Sequence, residues 1–175
     1  SHEIISLMGD KIRAKDLMRQ LGVPVVPGYE GPVDSKQQIE NEVTKIGLPV
    51  IIKAAAGGGG RGMRIVKEIS QLWDTIQDAK SEANVAFGND LVFIEKYLER
   101  PRHVEIQVFG DGKGKVVHLF SRDCSLQRKY QKIIEEAPAA NIPLEKLEEI
   151  HRISVQACQE LKYEGAGPLE FLYEN

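Results

Sequence analysis

No apolar run in this 175-residue chain approaches the 18 or more residues that a bilayer-spanning helix needs, so no membrane span is expected. Cysteine is scarce. Cys124 and Cys158 are the only two, too few for a disulfide framework and not spaced as a metal site. Both sit beside apolar residues and read as core or near-core thiols. Positive charge is not in excess: 23 Lys and Arg against 26 Asp and Glu leave a net charge of -3. The surface as a whole therefore offers no general attraction for nucleic acid, and basic residues matter only locally. The opening Ser1-His2-Glu3 has no signal-peptide or transit-peptide character, so a reduced, cytoplasmic setting is expected. What is present, 42% hydrophobic and 28% charged residues, is the composition of a soluble globular protein long enough for one domain or two small ones.

Against this background one segment stands out. The apolar run Ile51-Ile52 delivers Lys53, and Gly57, Gly58, Gly59, Gly60 and Gly62 follow, five glycines in six positions, interrupted by Arg61 and closed by Met63. Glycine loses more backbone freedom on folding than any other residue, so such a cluster needs a compensating role. Close approach of backbone N–H groups to polyanionic oxygens, aided by Lys53 and Arg61, supplies one. The segment reads as a nucleotide triphosphate site under a loop; a surface linker is the plain alternative. It is not Gly-Lys-Ser/Thr opening a helix, nor the Gly-x-Gly-x-x-Gly of a dinucleotide fold.

The pattern along the chain is α+β. Asp10 can cap a helix with an apolar stripe of Ile12, Leu17, Met18 and Leu21, ended by Gly22 and Pro24, so residues 1–23 read as a connecting helical region. Ser35 and Gln38 form a capping box for a helix through Ile39, Val43 and Ile46, stopped by Gly47. After the glycine loop, Met63–Val66 returns as a strand. Ser70 is expected to cap the next helix, and Leu91–Ile94 forms a strand that presents Glu95, Lys96, Tyr97 and Leu98. Residues 24–98 thus read as a small lid lobe.

From residue 99 onward Val104, Ile106 and Val108 alternate with polar residues, and a glycine-rich turn at Gly110–Gly114 makes a hairpin with Val116–Phe120. The polar stretch Ser121–Lys132 interrupts the apolar pattern before a further short strand at Ile133-Ile134. A helix over Leu144–Leu161 and a last strand over Gly167–Tyr173 complete the chain, and residues 99–175 read as the start of a larger sheet domain.

Several residues in this pattern could carry chemistry. Lys53, in an apolar strand, is costly to bury unless it meets an anion. Lys11 is a weaker candidate, because the helix dipole slightly disfavours a lysine there. Glu95–Leu98 has the form of a hinge strand able to offer adenine a backbone donor and acceptor; an ordinary strand end is the alternative. His103 and Glu105 share a face and suggest an aqueous cleft, while the histidine spacing does not suit zinc. The basic run Arg122–Lys132 reads as a phosphate- or substrate-facing strand. Alternation buries Glu170 in the final strand, as a magnesium ligand or a salt-bridged structural residue.

Together the motifs Met8-Gly9-Asp10-Lys11, Lys53 with the Gly57–Met63 loop, Glu95-Lys96-Tyr97, Pro101-Arg102-His103-Val104-Glu105-Ile106-Gln107, Arg122-Asp123-Cys124-Ser125 with Gln127-Arg128, Gln131-Lys132 with Glu135-Glu136-Ala137-Pro138, and Gly165-Ala166-Gly167 with Glu170-Phe171 resemble biotin carboxylase, of the ATP-grasp superfamily. The resemblance runs from Leu7 to Asn175. It implies an α+β ATP-grasp fold with the small lid subdomain complete and the larger sheet subdomain truncated.

By the same resemblance, Lys11 and Lys53 would hold ATP phosphates under the loop of Gly57, Gly58, Gly59, Gly60, Gly62 and Met63. Glu95, Lys96, Tyr97 and Leu98 would frame adenine, with His103, Gln127 and Tyr130 lining the nucleotide pocket. Lys132 would act with Lys53 in catalysis, toward bicarbonate or carboxyphosphate, and Glu170 would bind Mg2+ or Mn2+. The implied reaction is ATP- and bicarbonate-dependent carboxylation of biotin on biotin carboxyl carrier protein, in partnership with a carboxyltransferase and, for an intact parent, as a homodimer. Acetyl-CoA is the preferred final acceptor.

Tyr130 departs from the histidine or asparagine common in the family, and altered nucleotide affinity is expected from it. The family's segments on either side are absent from the sequence, including the second metal glutamate, so little carboxylation is expected of this chain alone. A carbamoyl-phosphate synthase domain and a nonenzymatic nucleotide-binding module are the rival readings.

Overall fold

A computed structural model describes residues 2–56, 63–128 and 131–174. In chain order the elements are α1 (His2–Gly9), α2 (Lys11–Gln20), β1 (Gly28–Tyr29), α3 (Lys36–Ile46), β2 (Val50–Ala54), β3 (Arg64–Val66), α4 (Ile69–Phe87), β4 (Val92–Lys96), β5 (Arg102–Asp111), β6 (Val116–Arg128), β7 (Gln131–Glu136), α5 (Leu144–Glu160) and β8 (Glu164–Tyr173). They divide into two compact units: one of residues 9–12 and 26–99, the other of residues 1–8, 13–25 and 100–175. No described helix is long and apolar enough to cross a membrane.

In the unit built on residues 26–99, an antiparallel sheet of order β1-β4-β2-β3 is covered by α3 and α4. The 3.6-residue spacing of Ile39 and Val43 on α3, and of Leu72, Ile76 and Ala79 on α4, lays their apolar stripes onto Val50, Ile52, Val92 and Ile94. Ser35 Oγ accepts from the Gln38 N–H, as a cap should. Only half of the expected capping box forms, because the Gln38 amide donates to the Tyr29 hydroxyl at 2.9 Å instead. At the other end Gly47, with φ +81°, turns the chain out of the helix. The Lys96 ammonium then donates to the Gly47 and Leu48 carbonyls at 3.1 and 2.9 Å.

In the second unit the sheet order is β7-β6-β5-β8, again antiparallel. Alternation turns Ile106 and Val108 of β5 and Leu169 and Phe171 of β8 toward Cys158, Ile150 and Val155 of α5. The end of α2 closes this core, with Met18, Leu21 and Val23 packing on Ile153 and Ala157. Gly110 is needed where it stands: a Cβ there would lie 2.1 Å from the Tyr163 carbonyl oxygen.

Two expectations are corrected. The helix after the glycine segment begins at Ile69, with Glu68 rather than Ser70 at its cap and no side-chain bond there. The polar stretch from Ser121, read as a strand despite breaking the apolar pattern, lies in β6, which runs on to Arg128. Glu170 is 62% exposed rather than buried, because no element among the described residues covers its face of β8. The apolar pattern also hid α1 and the two-residue β1.

Ile76 is fully buried and Val85 is 85% exposed on the same helix. Ile76→Ala should therefore cost about 2–5 kcal/mol in urea denaturation, and Val85→Ala less than about 0.5 kcal/mol.

Candidate active site

The first charged cluster lies in the unit of residues 26–99. Strand β2 brings Lys53 up beside β4, and its ammonium donates to Glu95 Oε2 at 2.5 Å. Glu95 is only 7% exposed, so the pair removes much of the cost of burying both groups. Lys11, at the start of α2, donates to the Ala54 carbonyl at 3.2 Å. Burial and the neighbouring Lys53 charge push its pKa below the ordinary lysine value, against a smaller opposing pull from Glu95. Two ammoniums around one carboxylate leave a local excess of positive charge beside Ala54–Ala56, where the glycine segment begins.

The backbone beyond is partly committed. The Lys96 and Tyr97 N–H groups donate to the Pro27 and Pro49 carbonyls at 2.8 and 3.0 Å. With its ammonium on Gly47 and Leu48, Lys96 serves the fold as well as its place beside Tyr97 and Leu98. Among the expected loop residues, Met63 is half-buried just before β3, and Gly57, Gly58, Gly59, Gly60 and Gly62 lie outside the described residues, as does Tyr130.

The second cluster covers the face of β7-β6-β5-β8 opposite α5. The register places Glu105 directly across from Arg122 on one side and Glu170 on the other. Glu105 is 1% exposed, and its carboxylate is held by Arg122 and, at 2.5 Å, by the Lys132 ammonium. Lys132 also donates to Glu170 Oε1 at 2.6 Å, and Arg122 reaches Glu135 and the Gln107 amide oxygen. Burial alone would raise the Glu105 pKa; the Lys132 hydrogen bond, reinforced by the Lys132 and Arg122 charges, holds it below the usual carboxylate range. Burial opposes the charge on Lys132, but its two glutamates outweigh that and raise its pKa.

A supporting network fixes β5 and β6. Arg102 donates through two nitrogens to Asp123 Oδ2, while Asp123 Oδ1 accepts from the Ser125 N–H. Ser125 Oγ in turn accepts from the His103 N–H at 3.0 Å, and Gln127 donates to the Cys124 carbonyl. The motif reading singled out these residues without showing that Arg102, Asp123 and Ser125 form one relay; only the cross-strand register reveals it.

Among the described residues, Glu105, Cys124 and Glu135 bring potential metal-ligand atoms within 4.8 Å of one another. They do not suit an ion. Both Glu105 oxygens are engaged by cations, and burial pushes the Cys124 thiol up to about 11, so it stays protonated. Glu170 fits a hard divalent cation better, being an exposed carboxylate on the same polar face. His118 stacks on His151 at 4.2 Å with ring planes 15° apart, an arrangement that keeps their in-plane lone pairs from converging on one ion.

Residues 10–175 match the family model described as the carbamoyl-phosphate synthase L chain, ATP binding domain. The chain belongs to that ATP-grasp family. Within it the homology is to biotin carboxylase domains: the chain is 53% identical over 174 residues to the biotin carboxylase of Pseudomonas aeruginosa, covering 99% of this chain and 39% of that protein. It is 49% identical over 174 residues to the pyruvate carboxylase of Pichia angusta, covering 99% of this chain and 15% of that one. Among solved structures, the biotin carboxylase–βγ-ATP complex from Campylobacter jejuni superposes with a TM-score of 0.89 at 46% identity, over 95% of this chain and 37% of that chain. The biotin carboxylase domain of Hydrogenobacter thermophilus 2-oxoglutarate carboxylase, in complex with MgADP, ADP and bicarbonate, gives 0.90 at 44% identity, over 97% and 38%. The α+β fold with its lid and sheet parts is the ATP-grasp fold of these relatives.

Two outcomes are expected of these clusters. Because the Glu105 pKa is lowered on folding, its contribution to stability is fully present above about pH 4.3 and is lost as pH falls through the folded value. Glu105→Gln should cost about 2–3 kcal/mol at pH 7, somewhat less than a fully buried pair because its cations keep solvent contact. In urea titrations the gap to the wild type should narrow below about pH 4. The Cys124 and Cys158 thiols, both raised to about 11 with burial as the largest cause, should alkylate with iodoacetamide at pH 8 only on unfolding.

Proposed function

We propose that this chain is the central ATP-binding part of a biotin-dependent carboxylase, whose parent carboxylates biotin on a carrier domain using ATP and bicarbonate. The observation that carries this reading is the placing of two ammoniums, Lys11 and Lys53, around a single buried carboxylate directly before the glycine segment. Their unbalanced charge suits the phosphates of a nucleotide, and Glu95 keeps Lys53 from turning out to solvent. Phosphoryl transfer asks a protein mainly for position and charge, which these lysines can supply.

In this reading the main chain around Glu95–Leu98 frames adenine, with the donor role falling to Leu98 once Lys96 and Tyr97 are committed. Gln127, Tyr130 and His103 line the nucleoside. Lys132 faces bicarbonate and the carboxyphosphate formed from it, and its bonds to Glu105 hold the ammonium charged. Glu170 offers an oxygen to Mg2+ or Mn2+, which when bound neutralises charge on the phosphate oxygens. The relatives named above support the nucleotide and bicarbonate assignments, since their complexes contain βγ-ATP, MgADP and bicarbonate.

The chain spans 39% of the length of the biotin carboxylases it matches, so the carboxylation, the carrier protein, the carboxyltransferase and the homodimer belong to the proposed whole. The biotin and pyruvate carboxylase relatives favour the biotin branch over carbamoyl phosphate synthesis.

Calorimetric titration of the chain with MgATP checks the reading. Lys11→Met and Lys53→Met should each weaken binding at least about tenfold, the cost of losing one charge-assisted phosphate contact. Affinity unchanged in both variants would refute the phosphate assignment. In the parent, ATP cleavage should require bicarbonate and rise with biotin; cleavage indifferent to biotin would favour a carbamoyl-phosphate type of ligase.

A further inference from the structure

Glu105 and Glu170 face each other across β5 and β8 in direct register. Like charges in that position repel, and a sheet tolerates them only if something positive lies between. Lys132, reaching in from β7, fills this role with bonds of 2.5 and 2.6 Å to the two carboxylates.

The two bonds are unequal in their surroundings. Glu105 is buried and cannot exchange its cations for water without leaving a bare charge in the sheet. Glu170 is 62% exposed, and an ion pair at such a site contributes little. Lys132 is thus firmly tethered at one end and loosely attached at the other.

We propose that Lys132 is an internal counterion that occupies the Glu170 carboxylate until a divalent cation takes its place. The inference rests on the reading of Glu170 as a metal ligand and adds a regulation to it. The exchange breaks no covalent bond. The cation takes the Glu170 oxygen, the ammonium gives up that acceptor for water or an anion, and Glu105 keeps it within the sheet. Lys132 therefore has two settings, quenched by Glu170 without the cation and available to an anion with it. Cation binding and anion binding on this face are coupled through one side chain, with no movement of backbone required.

The test is a titration of the chain with Mn2+ alone, following the free-ion signal by electron paramagnetic resonance, in the wild type, Lys132→Met, Glu170→Gln and the double variant. Lys132→Met should tighten Mn2+ binding about two- to fivefold, the worth of displacing one exposed ion pair. Glu170→Gln should weaken binding and abolish that gain in the double variant. If Lys132→Met leaves the affinity unchanged or lower while Glu170→Gln still weakens it, the counterion role is overturned and the metal-ligand reading stands. If Glu170→Gln has no effect in either background, the metal-ligand reading itself falls, and the counterion role with it. A readout in the unaltered chain guards against misfolded variants. Mg2+ should shift the Lys132 ammonium signal in a 15N-lysine NMR spectrum, and a signal that stays fixed while the Glu170 carboxylate signal moves to saturation overturns the exchange.

Discussion

A carboxylate inside a β-sheet cannot remain charged unless cations are brought to it, and this constraint organises both units of the chain. In the smaller sheet Glu95 lies on β4, between β1 and β2, and draws Lys53 across from β2. In the larger one Glu105 lies on β5, between β6 and β8, and draws Arg122 and Lys132 from β6 and β7. Each lysine would otherwise extend its long stem and place its charge in water. The buried glutamates convert flexible lysines into fixed ones, at the cost of desolvating an acid that must then stay paired. Local positive charge arises in a chain whose net charge is negative because the cations are gathered around few acids.

The two sheets differ in how they treat their faces. The smaller one is covered by α3 and α4, whose apolar stripes match its alternation. The larger has α5 on one face and a row of ionised residues on the other, linked strand to strand by register. Arg102, Asp123, Ser125 and His103 lock β5 to β6 beside that row. Such a network narrows the positions open to Glu105 and Arg122, as a preorganised polar site requires.

Much of this was legible in the residues. Helix α3 was readable from Ser35, Ile39, Val43 and Gly47, because its cap and its period agree. The hairpin of β5 and β6 was visible in the alternation around Val104–Val108. Lys53 could be singled out because a lysine within an apolar strand must meet an anion, yet the sequence could not say that the first anion it meets is Glu95. The exposure of Glu170 is hidden from the sequence for a related reason. Alternation tells which residues share a face and leaves open whether anything covers that face. The polar run after Ser121 reads as a strand only by its charge, since a face made of ion pairs lacks the apolar rhythm that would show β6 to be continuous from Val116. The relay through Asp123 and the clamp on Lys132 join residues 21 to 38 positions apart, beyond the reach of local pattern.

The central claim is that Glu105 fixes the Lys132 ammonium, and a double-mutant cycle of Glu105→Gln and Lys132→Met, measured by equilibrium urea denaturation at pH 7, tests it most directly. The account expects a coupling energy of about 1 kcal/mol or more, as for contacting residues in one charged network. A coupling below about 0.3 kcal/mol, the additivity of independent sites, would contradict it.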